Sequence, residues 1–349
     1  MTSKYLSPIC KGSLPALLCV AASAAAAEPP SPTNARYVAP SATAELAPDA
    51  KIEHLFTLNM TKPYVLQRLT ERSYFFQADH YATTFYVGDH GVLLFDPLQG
   101  QGAKIMRAIA AVTKLPVTAI VYSHGHADHI ADTKLILDAS IAAGVKHVRV
   151  IASAQTAAKL KFLGSHLPAV TETVPWPSGS FEFEGLTVRL HGFVRAAHTD
   201  DAAGWLLASE HVLHLPDLVN PDQPPFWHFA GSENYEYYRA NLEEVSALAW
   251  TFLNGGHGNV GSKKDLEFYG KFLTDLEGAV GKAMRSTPFG SGVDPRTLNA
   301  HTALLPAWLG IVAKKATDEL RPQYGQLYGF EYATPSNAEM VAMAGFVNQ

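Results

Sequence analysis

The chain has 349 residues, of which 47% are hydrophobic and 17% charged, the balance of a folded water-soluble protein and not of a disordered or fibrous one. A chain this long buries roughly 75% of the surface its unfolded form exposes, so it needs neither disulfides nor a structural metal to hold together. The formal charge is −5, and no basic run is present that could neutralise a phosphate backbone, which excludes nucleic acid as a partner.

In chain order, Lys4 and Lys11 precede an apolar run at 14–22, followed by small residues at 23–27 and then Glu28 and Pro29. This is the pattern of a secretory signal peptide, residues 1–27, with cleavage before Glu28; the apolar stretch is too short to span a bilayer. A periplasmic or secreted protein with no integral membrane segment after signal removal is expected. Both cysteines, Cys10 and Cys19, lie inside this segment. The mature chain would then have no thiolate, and without Lys4 and Lys11 its formal charge moves from −5 to −7. Any metal site must be built from His and carboxylate.

Residues 28–50 are rich in Pro, Ala, Ser and Thr without periodicity, which reads as an extended arm with no function of its own. Strand-like stretches follow at 65–77, 82–87 and 91–95, the last an apolar run ending at Asp96. Helical spacing at 102–112 leads to an apolar strand at 117–122. A second helix is expected at 132–143, where Asp132 would cap the N-terminus and Gly144 ends it. A strand at 148–152 and a helix at 154–163 precede two more strand-like stretches, 182–194 and 205–215. Strands and helices in this order suit a four-layer αββα sandwich, in which two sheets face each other beneath outer helices. The expected division is a sandwich domain over 51–262 and a C-terminal helical extension over 263–349, with helices at 263–284, 302–320 and 337–346.

Between the strand at 117–122 and the following helix lies Ser123 to His129, SHGHADH. It places four metal-binding side chains, His124, His126, Asp128 and His129, on one short loop, where neighbouring side chains can point toward two adjacent positions. Further along are Asp96 in LLFDP, His198 in AAHTDDAAGW, Asp217 in HLPDL and His257 in GGHGNVG. Gly255 and Gly256 let the backbone turn sharply beside His257.

These motifs, in this order over roughly 66–260, resemble the metallo-β-lactamase superfamily. The resemblance implies that His124, His126 and His198 hold one divalent metal ion, that Asp128, His129 and His257 hold a second, and that Asp217 bridges them. Zinc is the default occupant, and His and Asp donors also accept Mn, Fe or Co. It implies hydrolysis by a hydroxide shared between the ions, with Asp128 orienting that hydroxide and moving its proton, and Asp96 organising the motif loop from behind. His191, His211 and His214 occupy no family position. Two departures stand out: Ala131 and Asp132 replace a glycine pair common after the motif, and Asp200 and Asp201 place anions after His198.

The aromatic segment after Asp217 supplies Phe226, Trp227 and His228 as candidate substrate contacts. An Asp at the bridging position is similar to lactonases, glyoxalase II and phosphodiesterases; broad-spectrum β-lactamases have Cys or Ser there. Alkylsulfatases share the YSHGHADH stretch but differ at the fourth and bridging positions. The small-molecule substrate expected is a lactone or carboxylic ester. The alternatives are a β-lactam, an alkylsulfate or phosphodiester, or a non-catalytic binding protein that kept the fold. Oligomeric state is not encoded in any pattern.

Overall fold

The computed structural model describes residues 28–297 and 300–348, so the signal-peptide segment 1–27 lies outside the described residues. A short parallel pair, β1 (Tyr37–Val38) and β2 (Lys51–Ile52), precedes helix α1 (Leu55–Thr61). A seven-stranded sheet then runs in sequence order through β3 (Val65–Arg68), β4 (Ser73–Ala78), β5 (Tyr81–Val87), β6 (Val92–Phe95), β7 (Val117–Val121), β8 (Arg149–Ser153) and β9 (Glu172–Val174). It is antiparallel up to β6 and parallel from β6 to β9. The parallel half requires crossover helices, and these are α2 (Gly102–Val112), then α3 (Ala127–Ile130) with α4 (Thr133–Ala142), then α5 (Ala154–Phe162).

The second sheet has six strands, again in sequence order: β10 (Ser178–Phe183), β11 (Leu186–Gly192), β12 (Ala203–Leu207), β13 (Val212–His214), β14 (Phe252–Asn254) and β15 (Val260–Gly261). The strand-like stretches at 182–194 and 65–77 each contain a reversal that apolar patterning alone does not show. In the first, Glu184 and Gly185 both adopt positive φ, 48° and 87°, which closes a tight hairpin.

Alternating side chains along each strand divide the core into layers. On β6, Leu93 and Phe95 face the second sheet, where they join Phe181, Val188, Trp205 and Val212 in one buried cluster. Val92 and Leu94 face outward against Ile105 and Ile109 of α2, Ile136 of α4 and Leu160 of α5. On β12, Trp205 and Leu207 belong to the inter-sheet cluster and Leu206 to the outer one. The architecture is therefore the αββα sandwich, with a period of two on each strand selecting which layer a residue joins.

The outer face of the second sheet is covered by α7 (Tyr238–Ser246), which follows a short turn α6 (Trp227–Gly231), and by three long helices, α8 (Lys263–Arg285), α9 (His301–Tyr324) and α10 (Phe330–Val347). Leu213 of β13 and Leu215 just after it share one cluster with Leu242 of α7, Phe272 and Leu276 of α8, Trp308 and Val312 of α9 and Val341 of α10. The C-terminal helices are thus continuous with the outer core of the sandwich. α8 begins in a capping box between Ser262 and Asp265, satisfying two orphan amides. No helix among the described residues is long and apolar enough to cross a membrane.

Two expectations are revised by long-range partners. Asp132 does not cap its own helix: its carboxylate accepts the Gly102 N–H at 2.7 Å, at the start of α2. The arm at 28–50 is not loose. Leu46 and Ala50 enter the inter-sheet cluster, and Ser31 Oγ and Tyr37 OH each donate to the buried Asp222 carboxylate at 3.0 Å. Nearby, Lys51 Nζ lies 2.9 Å from Asp265 with both side chains buried.

Burial, reinforced by the Asp265 charge and opposed by Lys51, pushes the Asp222 carboxyl up to about 6 from its ordinary 3.8. A raised folded-state value means that folding takes up a proton between about pH 4 and 6. The ionised carboxylate opposes folding above that range by on the order of 3 kcal/mol, and the cost is relieved as the pH falls. Asp222→Asn cannot ionise, so its melting temperature relative to wild type is expected to be higher at pH 7 than at pH 5. A difference that does not vary with pH would show that Asp222 titrates normally.

Candidate metal centre

All the motif residues collect at one end of the sandwich, on loops that leave the strands. Asp96 follows β6 in a left-handed conformation, φ 38°. His124 and His126 lie on the loop after β7, and Asp128 and His129 open the single turn of α3. His198 comes from the loop between β11 and β12, Asp217 from the residues after β13, and His257 from those after β14. The parallel β13–β14 pair brings Asp217 and His257 side by side, and the Asp217 N–H donates to Gly255 O at 3.0 Å.

Gly255 and Gly256 are required here for different reasons. A Cβ on Gly255 would stand 1.8 Å from the Val219 carbonyl oxygen, whereas Gly256 has φ 75° and its Cβ would fall 2.7 Å from the His129 ring. Both exclude any side chain beside His257.

The seven donors form two groups, each with all its ligand atoms within 4.8 Å of one another: His124, His126, His198 and Asp217; and Asp128, His129, Asp217 and His257. Asp217 alone belongs to both. His198 Nε2 lies 3.3 Å from His124 Nε2 and 3.1 Å from His126 Nδ1. Adjacent nitrogens on a tetrahedral ion at about 2.0–2.1 Å stand roughly 3.3 Å apart, so the first group has the spacing of ligands about one cation. Asp217 Oδ2 is 2.8 Å from His129 Nε2 and 3.4 Å from His198 Nε2, while its Oδ1 is 3.3 Å from His257 Nε2. Asp128 Oδ2 lies 3.5 Å from His129 Nε2 and 3.8 Å from His257 Nε2. Nitrogen and carboxylate donors without thiolate suit divalent ions.

The surroundings fix which ring nitrogen faces the centre. Ser123 Oγ bonds His124 Nδ1 at 2.9 Å, leaving Nε2 to point inward. The His80 carbonyl accepts from His257 Nδ1 at 2.8 Å, with the same result. Asp96 accepts the Ser123 N–H at 2.8 Å and bonds His214 Nε2 at 2.8 Å. It sits 3.8 Å from His129 Nδ1, behind the motif loop and outside both donor groups. Such outer contacts orient ligands.

Asp201 is a second organiser that sequence reading placed only as a nearby anion. Fully buried, it accepts the Gly125 N–H at 2.7 Å and pairs with Lys159 at 3.0 Å. Lys159 also reaches Asp200 at 2.6 Å, so neither acid projects as a free charge. Nothing in the AAHTDDAAGW pattern distinguishes a loop clamp from a pocket anion, because the partner amide is 76 residues away.

Electrostatics follow from burial and one carboxylate. Burial, with His129, His198 and His126 around it, holds the His124 imidazole well below its ordinary range. His198 is lowered to about 4, chiefly by burial. Burial acts the same way on His129, but Asp217, Asp96 and Asp128 outweigh it and raise that ring to about 9. Although burial opposes it, Asp217 is driven well below the usual carboxylate range by His129, His257 and His198. His124 and His198 therefore present neutral imidazole lone pairs beside an ionised Asp217, while His129 holds a proton against that carboxylate which a bound cation would displace.

The three candidate substrate contacts separate. Phe226 lies against His257, ring centroids 5.3 Å apart, and lines a cavity with it. Trp227 lines an adjoining cavity, and His228 lines a different one with Glu233, Tyr235 and Met340. The reason is an unusual backbone: His228, Phe229 and Ala230 all adopt left-handed helical dihedrals, at a cost of about 1–2 kcal/mol each. Helix α10 holds this turn, with Asn337 Oδ1 accepting the Phe229 N–H at 2.8 Å and Ser336 Oγ accepting that of His228 at 3.2 Å.

Comparison with known proteins agrees with this geometry. The model of the metallo-beta-lactamase superfamily matches residues 78–257, over half of the chain and all seven donors. The chain belongs to the metallo-beta-lactamase superfamily, whose members are metal-dependent hydrolases. Among solved structures, the fold is similar to that of a metallo-beta-lactamase from Pontibacter korlensis, at 15% identity and TM-score 0.50, covering 60% of this chain and 98% of that one. It is also similar to metallo-beta-lactamase IND-7, at 19% identity and TM-score 0.51, covering 61% and 99%. DIM-1 metallo-beta-lactamase gives 13% identity and TM-score 0.50, covering 61% and 98%. At such identities the likeness is one of fold. No curated protein matches the chain.

Proposed function

We propose that the protein is a dinuclear metal-dependent hydrolase of lactones or carboxylic esters, with zinc the default metal. The observation that carries this reading is Asp217, the one donor common to both groups and hard enough, with the imidazoles, to hold two divalent ions side by side. Ions so placed supply a Lewis acid for the substrate carbonyl and water made nucleophilic at neutral pH.

The chain's own residues do the rest. His124, His126 and His198 hold one position, Asp128, His129 and His257 the other, and Ser123 and the His80 carbonyl keep the rings turned inward. Asp128, about one-third exposed, would accept a proton on its other carboxylate oxygen, Oδ1, and release it toward the leaving alkoxide. Phe226 supplies an apolar wall beside His257 and excludes water there.

Cleavage of a β-lactam is the second reading, favoured by the fold similarity to three metallo-beta-lactamases. Turnover of the purified, metal-loaded protein against lactone, ester and β-lactam panels separates the two. Lactone or ester hydrolysis exceeding β-lactam hydrolysis by about tenfold or more in kcat/KM is the expected result, and rapid β-lactam turnover without ester cleavage would overturn the preference.

A further inference from the structure

The cavity that reaches His257 has a volume of about 310 Å³, and Phe56 and Met60 of α1, Phe226 and Tyr328 stand in its walls. A second cavity, of about 370 Å³, shares Phe226 and Tyr328 with the first and continues to Trp227 and Tyr332. Phe226 and His257 have ring centroids 5.3 Å apart. The two cavities therefore make one trough that starts at a metal donor and runs outward past Tyr328. None of the described residues lining it is Lys, Arg, Asp or Glu.

Much of this wall lies outside the segment that matches the family. That segment is 78–257, whereas Phe56 and Met60 precede it and Tyr328 and Tyr332 follow it. The two additions come from opposite ends of the chain, and they meet where Phe56 stacks on Tyr328, with centroids 3.9 Å apart and rings within 5° of parallel. The family segment supplies the metal donors, and the additions shape the surface beside them. Met60, Trp227 and Tyr332 remain 71%, 56% and 89% exposed. Large apolar side chains left in water around a concave site mark a ligand groove. Because the inner end of the trough is a metal donor, its occupant also reaches the reacting centre, which fits part of a substrate and not a second protein chain.

We infer that the substrate is an ester or lactone with a long apolar arm, which lies along Phe226 and Tyr328 while its acyl carbon sits at the metal positions. Phe56, Met60 and Tyr328 are then specificity-determining residues contributed by the parts of the chain that lie outside the family segment. Each methylene that such an arm withdraws from water strengthens binding about fourfold. A charged group on the arm would lose its hydration among these side chains and gain no ion pair. This inference rests on the hydrolase reading above and adds the chemistry of the arm.

The test measures kcat/KM of the zinc-loaded protein for two pairs of esters, nitrophenyl butanoate with nitrophenyl octanoate and butyl acetate with octyl acetate, so that the arm is lengthened on either side of the ester. Wild type is expected to favour the longer ester of at least one pair by about tenfold or more. In Tyr328→Asp, which sets a charge in the trough, that ratio is expected to fall to within about threefold of unity. Met60→Glu, at an exposed position of α1, is read in the same way should Tyr328→Asp not fold. Equal turnover of short and long esters in both pairs by wild type overturns the subsite, and so does a variant that slows both esters alike and leaves the ratio unchanged. Dimers in sedimentation that the substitutions dissociate, without any chain-length preference, would assign the trough to a second copy and also overturn it. A binding measurement keeps this result separate from failure of the hydrolase reading. Butan-1-ol and octan-1-ol, neither of them an ester, are titrated calorimetrically into wild type and variant. Octanol binding about tenfold or more tighter than butanol to wild type, with the difference lost in the variant, supports the trough even if no ester is cleaved. Equal binding of the two alcohols by wild type, or a difference that survives the substitutions, refutes it.

Discussion

Asp217→Asn is expected to lower hydrolytic turnover by about 10³-fold or more while leaving the protein folded. The carboxylate lies 2.8 Å from His129 Nε2 and 3.3 Å from His257 Nε2 on one side, and 3.4 Å from His198 Nε2 on the other. Among the described residues no other joins the two donor groups, so removing its charge weakens both positions at once. Asparagine is the informative replacement because Asp217 has φ 68°, a left-handed conformation that asparagine tolerates and alanine resists. The backbone bond from its N–H to Gly255 O is independent of the side chain. Steady-state rates with the best ester from the panel, read beside circular dichroism, check the outcome. Activity within about tenfold of wild type would remove Asp217 from its assigned place.

Gly255→Ala is expected to be the most damaging small substitution near the site. The added Cβ would meet the Val219 carbonyl oxygen at 1.8 Å and Pro221 Cδ at 3.0 Å, and a backbone atom cannot rotate aside as a side chain can. Gly255 O also accepts the Asp217 N–H and Asn220 Nδ2, each at 3.0 Å. Any shift that relieves the clash therefore moves Asp217 and His257 together. A loss of at least about 3 kcal/mol is expected, seen as a melting temperature lower by roughly 5 °C or more, with reduced metal retention. Gly270→Ala is the contrast: it lies on α8 with open space where its Cβ would stand, and it is expected to add up to about 1 kcal/mol of stability. Equal melting temperatures for the two variants would contradict the packing described here.

Much of the site was legible because its residues carry their chemistry in short patterns. SHGHADH sits between an apolar strand and a helix, and the resemblance it anchors picked out Asp96, His198, Asp217 and His257, which the fold gathers at one end of the sandwich. The layers were legible too, since alternation on strands such as β6 and β12 assigns each side chain to a face. What escaped was set by partners distant in sequence. Asp132 stands where a helix cap should, yet bonds Gly102 on another helix. Asp201 reads as a surface anion but clamps Gly125. The left-handed turn at Trp227–Gly231 runs against local propensity. It persists because Ser336 and Asn337, more than 100 residues later, hold its amides, and this turn carries His228 away from the cavity that Phe226 lines.

The reading of a metal centre built on one shared carboxylate is tested most directly by counting ions. The protein is equilibrated with zinc, freed of unbound metal by gel filtration and analysed for metal per chain, beside Asp217→Asn treated identically. About two equivalents in wild type and fewer than one in the variant are expected, because both positions depend on Asp217. A wild-type protein that retains one ion or none, or an Asp217→Asn protein that still retains two, would contradict the dinuclear centre.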